Sequence, residues 1–225
     1  KGILCFDRNI VVSALPLFAS KKRLKKNAIQ NVVLSTHRLH PASANNSLLL
    51  LNQYDLDLAE ISDGSIIIPH DIKCELIEKM SKDRTVMSEV GSKDSGILIS
   101  PAKWIRMMHS ELEAGSWKVI AEGRESGNVG VFRPNGTAHT LLINRIISKI
   151  APQDILWEAP QKNQQVWFIK LFGAEVNLGN IAPKDLIPLE CLRLGLRGDT
   201  FFEYLPKKVE ERLKQINDED EEDES

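Results

Sequence analysis

Four short β-rich runs of this sequence each end on a carboxylate. They read Glu60-Ile-Ser-Asp63-Gly64, Glu89-Val-Gly91, Glu122-Gly-Arg124-Glu125-Ser126-Gly127 and Glu158-Ala-Pro-Gln161-Lys162, and a fifth run ends Asn177-Leu-Gly179-Asn180. Carboxylates gathered at one rim repel one another, so they coexist only with a cation, a shared proton or basic side chains beside them. Hard oxygen donors suit Mg2+, and a bound Mg2+ would in turn neutralise a phosphate. A single such glutamate is ordinarily a solvated loop residue or half of a surface ion pair; four at equivalent positions argue for a site. The loop Gly123–Gly127 adds a rigid cation. Arg124 can grip a phosphate, sulfonate or carboxylate with two prongs, and the flanking glycines let backbone N–H groups approach an anion. A surface turn with an Arg–Glu pair is the competing reading of those five residues. Arg197-Gly198-Asp199-Thr200 has a similar character near the last helix.

Other chemistries lack their residues. Histidines 37, 40, 70, 109 and 139 show no metal-ligand spacing, and Cys5, Cys74 and Cys191 are too scattered for a disulfide framework or a Cys-rich zinc site. There is no glycine-rich phosphate loop of the Walker or dinucleotide kind. Ser126 lacks the Gly-x-Ser-x-Gly context of a nucleophile elbow.

The elements that must position these groups alternate. Strand-like runs at Asp57–Ser62, Thr85–Val90, Trp117–Ala121, Asp154–Trp157 and Glu175–Leu178 are separated by apolar residues at helical spacing. Those are Ile72, Leu76, Ile77 and Met80; Ile105, Met108 and Leu112; Leu142, Ile143, Ile146, Ile147 and Ile150; Val166 and Ile169; and Leu186, Leu189 and Leu192. Strand and helix alternating at about thirty residues per unit predict βα units around a parallel sheet, the spacing of a (β/α)8 barrel. Five of the eight units are visible in 51–206; an open three-layer α/β sheet competes on periodicity alone. In a barrel all strand ends of one polarity form a single mouth, where catalytic groups occur.

The 225 residues carry a net charge of −2 that hides an asymmetry. Residues 1–50 hold eight Lys or Arg against one acid, Asp7, whereas Asp218–Glu224 is an unbroken acidic run. The remainder is nearly neutral, which does not suit a nucleic-acid-binding face. Residues 1–50 are expected to form an atypical basic segment, transit-like or an irregular extension, with 1–45 poorly ordered or packed outside the barrel; 207–225 is expected to be a helix end and disordered acidic tail. No run reaches the roughly 20 apolar residues of a membrane span. The composition points to a soluble intracellular protein, cytoplasmic or, with 1–45 as a transit segment, chloroplast.

The blocks Glu-Ile-Ser-Asp-Gly-Ser (60–65), Ser-Glu-Val-Gly (88–91), Ile-Ala-Glu-Gly-Arg-Glu-Ser-Gly (120–127), Trp-Glu-Ala-Pro-Gln-Lys-Asn-Gln-Gln-Val (157–166), Val-Asn-Leu-Gly-Asn-Ile (176–181) and Leu-Arg-Gly-Asp-Thr-Phe (196–201) resemble the phosphosulfolactate synthase family. The resemblance covers about 51–205, in the family's order and spacing. Plants carry relatives, including heat-stress-associated proteins, and these motifs look closer to the synthase. The resemblance implies a (β/α)8 barrel whose strands four to eight are the visible ones. It also implies Mg2+-dependent addition of sulfite to phosphoenolpyruvate, giving (2R)-phospho-3-sulfolactate. The small-molecule partners are then a phosphorylated substrate and sulfite, with neither nucleic acid nor membrane, and a homo-oligomer is open.

On that footing the expected metal residues are Glu60, Asp63 and Glu122, and the catalytic group is Lys93, Glu89 and Glu122, with Lys93 as proton donor. Arg124, Ser126, Gln161, Lys162, Asn180 and Arg197 are the expected substrate contacts. Two departures stand out. Residues 1–50 do not match the family's first three strands, and Ser92 stands where the family often has the first of two lysines after Glu-Val-Gly. The alternative reading is a non-catalytic stress-associated barrel acting by binding or assembly.

Overall fold

The computed structural model describes residues 58–62, 68–92, 99–205 and 209, together with the backbone of three short strands nearer the start of the chain. Five parallel strands form the well-packed wall: β4 (Leu58–Ser62), β5 (Thr85–Val90), β6 (Lys118–Ala121), β7 (Ile155–Glu158) and β8 (Leu178–Ile181). Consecutive strands pair side by side and in parallel, from β4–β5 to β7–β8. Helices alternate with them: α1 (His70–Ser81), α2 (Pro101–Glu113), α3 (Thr140–Ile147), α4 (Lys162–Phe172) and α5 (Leu186–Arg193). The expected βα alternation is thus present over the described part of 51–206.

Three further strands, β1 (Gly2–Phe6), β2 (Ile10–Ala14) and β3 (Ile29–Val32), close the sheet into a barrel in the order β1-β2-β8-β7-β6-β5-β4-β3. β2 runs parallel to β8 and β3 parallel to β4, while β1 is antiparallel to both of its neighbours. Residues 1–45 were expected to be poorly ordered or packed outside the barrel; apart from these three strands they lie outside the described residues. These strands occupy places in the sheet, although one of them runs against the direction of a regular (β/α)8 wall. The acidic tail lies outside the described residues.

Local sequence sets the helix ends. Ser100 caps α2 by accepting the Lys103 N–H, and Pro101 starts the helix where its missing N–H costs nothing. α4 stops at Gly173, whose φ of 89° is a left-handed value that glycine adopts at little cost. The last strand starts later than the pattern Glu175–Leu178 suggests. The ladder begins at the Asn177 carbonyl, which accepts the Trp157 N–H, and the Asn177 side chain is spent on the Gln153 and Ile155 carbonyls.

Two apolar layers result from side-chain alternation along the strands. Outside the wall, Val90, Val119, Ala121, Ile155, Trp157 and Leu178 pack against helix residues such as Trp104, Ile143, Phe168 and Leu189. Trp157 stacks on Phe168 at 5.0 Å and on Phe172 at 5.6 Å between ring centroids. On the opposite face Leu58, Met87, Ile120 and Leu156 touch one another and fill the barrel interior.

Candidate active site

Two residues beyond each of those interior apolar side chains stands a buried glutamate: Glu60, Glu89, Glu122 and Glu158. Period-two alternation therefore aims all four into the barrel, toward the carboxyl ends of the strands. They are not level. Glu60 lies beside Met87 in the β4–β5 register and Glu89 beside Ile120 in the β5–β6 register, so each sits two residues deeper than the next, while Ala121 beside Trp157 sets Glu122 and Glu158 level. The three higher glutamates converge: one carboxylate oxygen each from Glu89, Glu122 and Glu158 lie within 4.8 Å of one another.

The loop after β6 holds this group in place. The Gly123 and Arg124 N–H groups both donate to Glu158 Oε2 at 2.8 Å, and the Arg124 N–H also donates to Glu122 Oε1 at 2.8 Å. Arg124 adopts φ 62° to aim its N–H between the two carboxylates, a conformation disfavoured for a residue with a side chain. Ser62 Oγ donates to Glu89 Oε1 at 2.5 Å. Burial, and then the charge of Glu89, push the Glu158 carboxyl above the usual carboxylate range, against the lowering effect of the hydrogen bonds from Gly123, Glu122 and Arg124. Three buried carboxylates, one of them raised by burial and by the charge of a neighbour, form a donor set that a divalent cation stabilises. All of the donors are hard oxygens. The triad fits a divalent metal.

The candidate triad overlaps the expected metal residues only in part. Glu122 is common to both, and the triad adds Glu89, expected in a catalytic role, and Glu158, to which no role was assigned. Glu60 is buried on the same face, deepest of the four in register, and lies outside the triad. Asp63 and Lys93 fall outside the described residues. A signal for Glu158 was present: Leu58-Ala-Glu60, Met87-Ser-Glu89, Ile120-Ala-Glu122 and Leu156-Trp-Glu158 share one apolar-x-Glu pattern.

The expected substrate contacts separate into smaller groups. The Arg124 side chain is exposed above its own backbone. The two glycine-loop N–H groups expected to approach a ligand anion instead hold the protein's own carboxylates. Ser126 Oγ donates to Asn128 Oδ1. Gln161 donates to the Ser126 carbonyl at 2.7 Å, and Gln164 donates to the Gly127 and Gly136 carbonyls, so both glutamines pin the 123–138 loop. Lys162 and Arg197 are brought to the same acid: Asp199 Oδ2 is 2.6 Å from Lys162 Nζ and 4.0 Å from Arg197 Nε. The hydrogen bond from Lys162 lowers the Asp199 carboxyl. Asn180, at the end of β8, has φ 59°.

Residues 31–199 match the family model described as (2R)-phospho-3-sulfolactate synthase (ComA). The chain belongs to the phosphosulfolactate synthase family. It is 44% identical over 146 residues to the phosphosulfolactate synthase of Methanothermobacter thermautotrophicus, covering 63% of this chain and 56% of that one. It is 40% identical over 152 residues to the Bacillus subtilis phosphosulfolactate synthase, covering 66% and 60%. With that of Methanocaldococcus jannaschii it shares 41% over 150 residues, covering 64% and 59%. The match therefore spans less than two thirds of the length of these relatives. Among solved structures, 2,3-dimethylmalate lyase, a PEP mutase/isocitrate lyase superfamily member, aligns with a TM-score of 0.46 and 12% identity, over 85% of this chain and 68% of that one. The family match begins at residue 31, within β3, about twenty residues before the start of the resemblance near residue 51. Among the described residues no helix is long and apolar enough to cross a membrane.

Proposed function

We propose that this protein adds sulfite to phosphoenolpyruvate, giving (2R)-phospho-3-sulfolactate, with Mg2+ as the divalent ion. The observation that carries the reading is the convergence of Glu89, Glu122 and Glu158 at the carboxyl mouth of a barrel whose sequence matches the synthase model. Glu89, Glu122 and Glu158 would hold the ion, which when bound supplies positive charge to the carboxylate side of an enolpyruvate.

In the reaction the sulfur lone pair attacks the methylene carbon and forms the C–S bond. The alkene pair moves toward the substrate carboxylate, and the neighbouring carbon then takes a proton. The chain's residues serve these events by holding charge and moving one proton. Backbone donors from Gly123 and Arg124 keep the Glu122 and Glu158 oxygens aimed together, so no reorganisation is needed as charge develops. The exposed Arg124 guanidinium and the Lys162–Arg197 pair around Asp199 offer cationic partners for phosphate and sulfite. Lys93 remains the proposed proton donor, and Asn180, Gln161 and Ser126 the proposed polar contacts.

The test is incubation of the full chain with phosphoenolpyruvate, sulfite and Mg2+, with product followed by phosphorus NMR and mass spectrometry. Wild type is expected to form phosphosulfolactate, and Glu122→Gln and Glu158→Gln to lose it. Mg2+ bound at the triad without any product would overturn the reading.

A further inference from the structure

The best-buried lysine among the described residues is not in the barrel mouth. Lys73, on α1, is fully buried, and so is Glu111, on α2. Lys73 Nζ lies 2.8 Å from Glu111 Oε1 and donates to the main-chain oxygen of Glu89 at 2.6 Å. His70 Nε2 meets the same Glu111 oxygen at 3.2 Å from the solvent side.

Burying two charges is costly, and well-packed apolar side chains commonly hold two helices together as firmly as an ion pair does. What apolar side chains cannot supply is the third contact, the ammonium hydrogen bond to the Glu89 carbonyl. That carbonyl belongs to the residue whose side chain reaches the acidic triad. β5 ends one residue later, at Val90, so the strand terminus carrying Glu89 has few further ladder bonds to fix it. A charge-assisted bond at this point sets the height and rotation of the residue, and a ligand shifted by about an ångström no longer converges with its partners.

We propose that Lys73, itself oriented by Glu111, is a positioning residue that holds Glu89 in the geometry needed to bind a divalent cation with Glu122 and Glu158. The proposal rests on the triad as a cation site and not on the identity of the substrates. Lys73 touches neither cation nor substrate in this role; it acts through the Glu89 main chain.

The experiment is calorimetric titration of the full-length chain with Mn2+, alongside thermal unfolding. The double variant Lys73→Met/Glu111→Leu replaces the ion pair with apolar groups of similar volume and removes the bond to Glu89. It is expected to unfold near the wild-type temperature yet bind Mn2+ about 10- to 100-fold more weakly, the usual cost of losing an outer-shell partner. A pair serving only to join the helices would leave Mn2+ affinity untouched in a folded variant.

Lys73→Gln/Glu111→Gln provides a second route if the apolar variant does not fold, because two neutral amides can bond each other while the shorter side chain no longer reaches the Glu89 carbonyl. Wild-type Mn2+ affinity in either folded variant, with affinity lost in Glu122→Gln, overturns the positioning role alone. Unchanged affinity in Glu122→Gln overturns the triad as a cation site and this proposal with it.

Discussion

Replacing Gly130 by alanine should damage the site from behind. Gly130 has φ 62°, and a Cβ built there falls 1.9 Å from the Glu122 main-chain oxygen and 2.8 Å from its carbonyl carbon. The obstacle is backbone, so no side-chain rotation relieves it. Restoring ordinary contact requires a movement of about 1.5 Å between the loop and the end of β6. The loop resists, because the next residue, Val131, donates its N–H to that same Glu122 oxygen at 3.0 Å. Overpacking costs about 1–3 kcal/mol and the left-handed backbone about 1–2 kcal/mol more. A loss of roughly 2–5 kcal/mol in stability is therefore expected.

If the movement is taken up by Glu122, its carboxylate leaves the triad, and a misplacement of about 1 Å is worth roughly 100-fold in turnover. Denaturant unfolding and Mn2+ titration read the two effects separately. Gly130→Asn separates their causes: asparagine tolerates the left-handed conformation, so it would be mild if backbone strain dominated and as harmful as alanine if the collision does. Gly198→Ala, where an added Cβ meets nothing within 4 Å, is the control and should leave stability unchanged. Wild-type stability and affinity in Gly130→Ala would refute the reasoning.

The Glu158 carboxyl, raised by burial and by Glu89, binds its proton more tightly in the folded state than in the unfolded one. Its contribution to stability is thus complete below the ordinary glutamate pKa of about 4.3 and is lost as pH rises through the raised value; metal-free wild type should lose stability relative to Glu158→Gln over that window, and parallel pH curves would exclude the effect. Gln164→Ala strips the donor from the Gly127 and Gly136 carbonyls, each worth about 1–3 kcal/mol if left unsatisfied; hydrogen exchange across 127–137 should rise. Phe168→Ala empties a fully buried site between Trp157 and Phe172 and should cost about 3–5 kcal/mol in unfolding free energy.

Periodicity was enough to find the five βα units, because each strand and helix there carries its own apolar repeat. It also placed four glutamates at strand ends. Which of them converge was not legible, since it depends on how the strands are staggered around the barrel: the two-residue steps from Glu60 to Glu89 and from Glu89 to Glu122 have no local signature. The role of the Gly123-Arg124 turn was half visible. Its residue types announced anion binding, but only the fold shows that the anions held by its N–H groups are Glu122 and Glu158. Lys73 gave no signal, because a lysine within a helical pattern reads as solvated until α2 places Glu111 against it. The N-terminal strands were missed for a related reason: their runs are short, and barrel membership is conferred by β8 and β4 at the far end of long sequence separations.

The alternation that puts Trp157 among the helix-facing aromatics and Glu158 in the barrel mouth also constrains how this family can diverge. Each interior glutamate follows in the chain a residue that faces outward: Ala59, Ser88, Ala121 or Trp157. Gaining or losing one codon inside any of these strands would exchange the two faces at once, driving an acid into the helix interface and an aromatic or methyl group into the mouth. Lineages carrying this barrel can therefore explore new chemistry by substitution within strands, but length changes are confined to the connections between them, where the 123–138 excursion is already the longest described example.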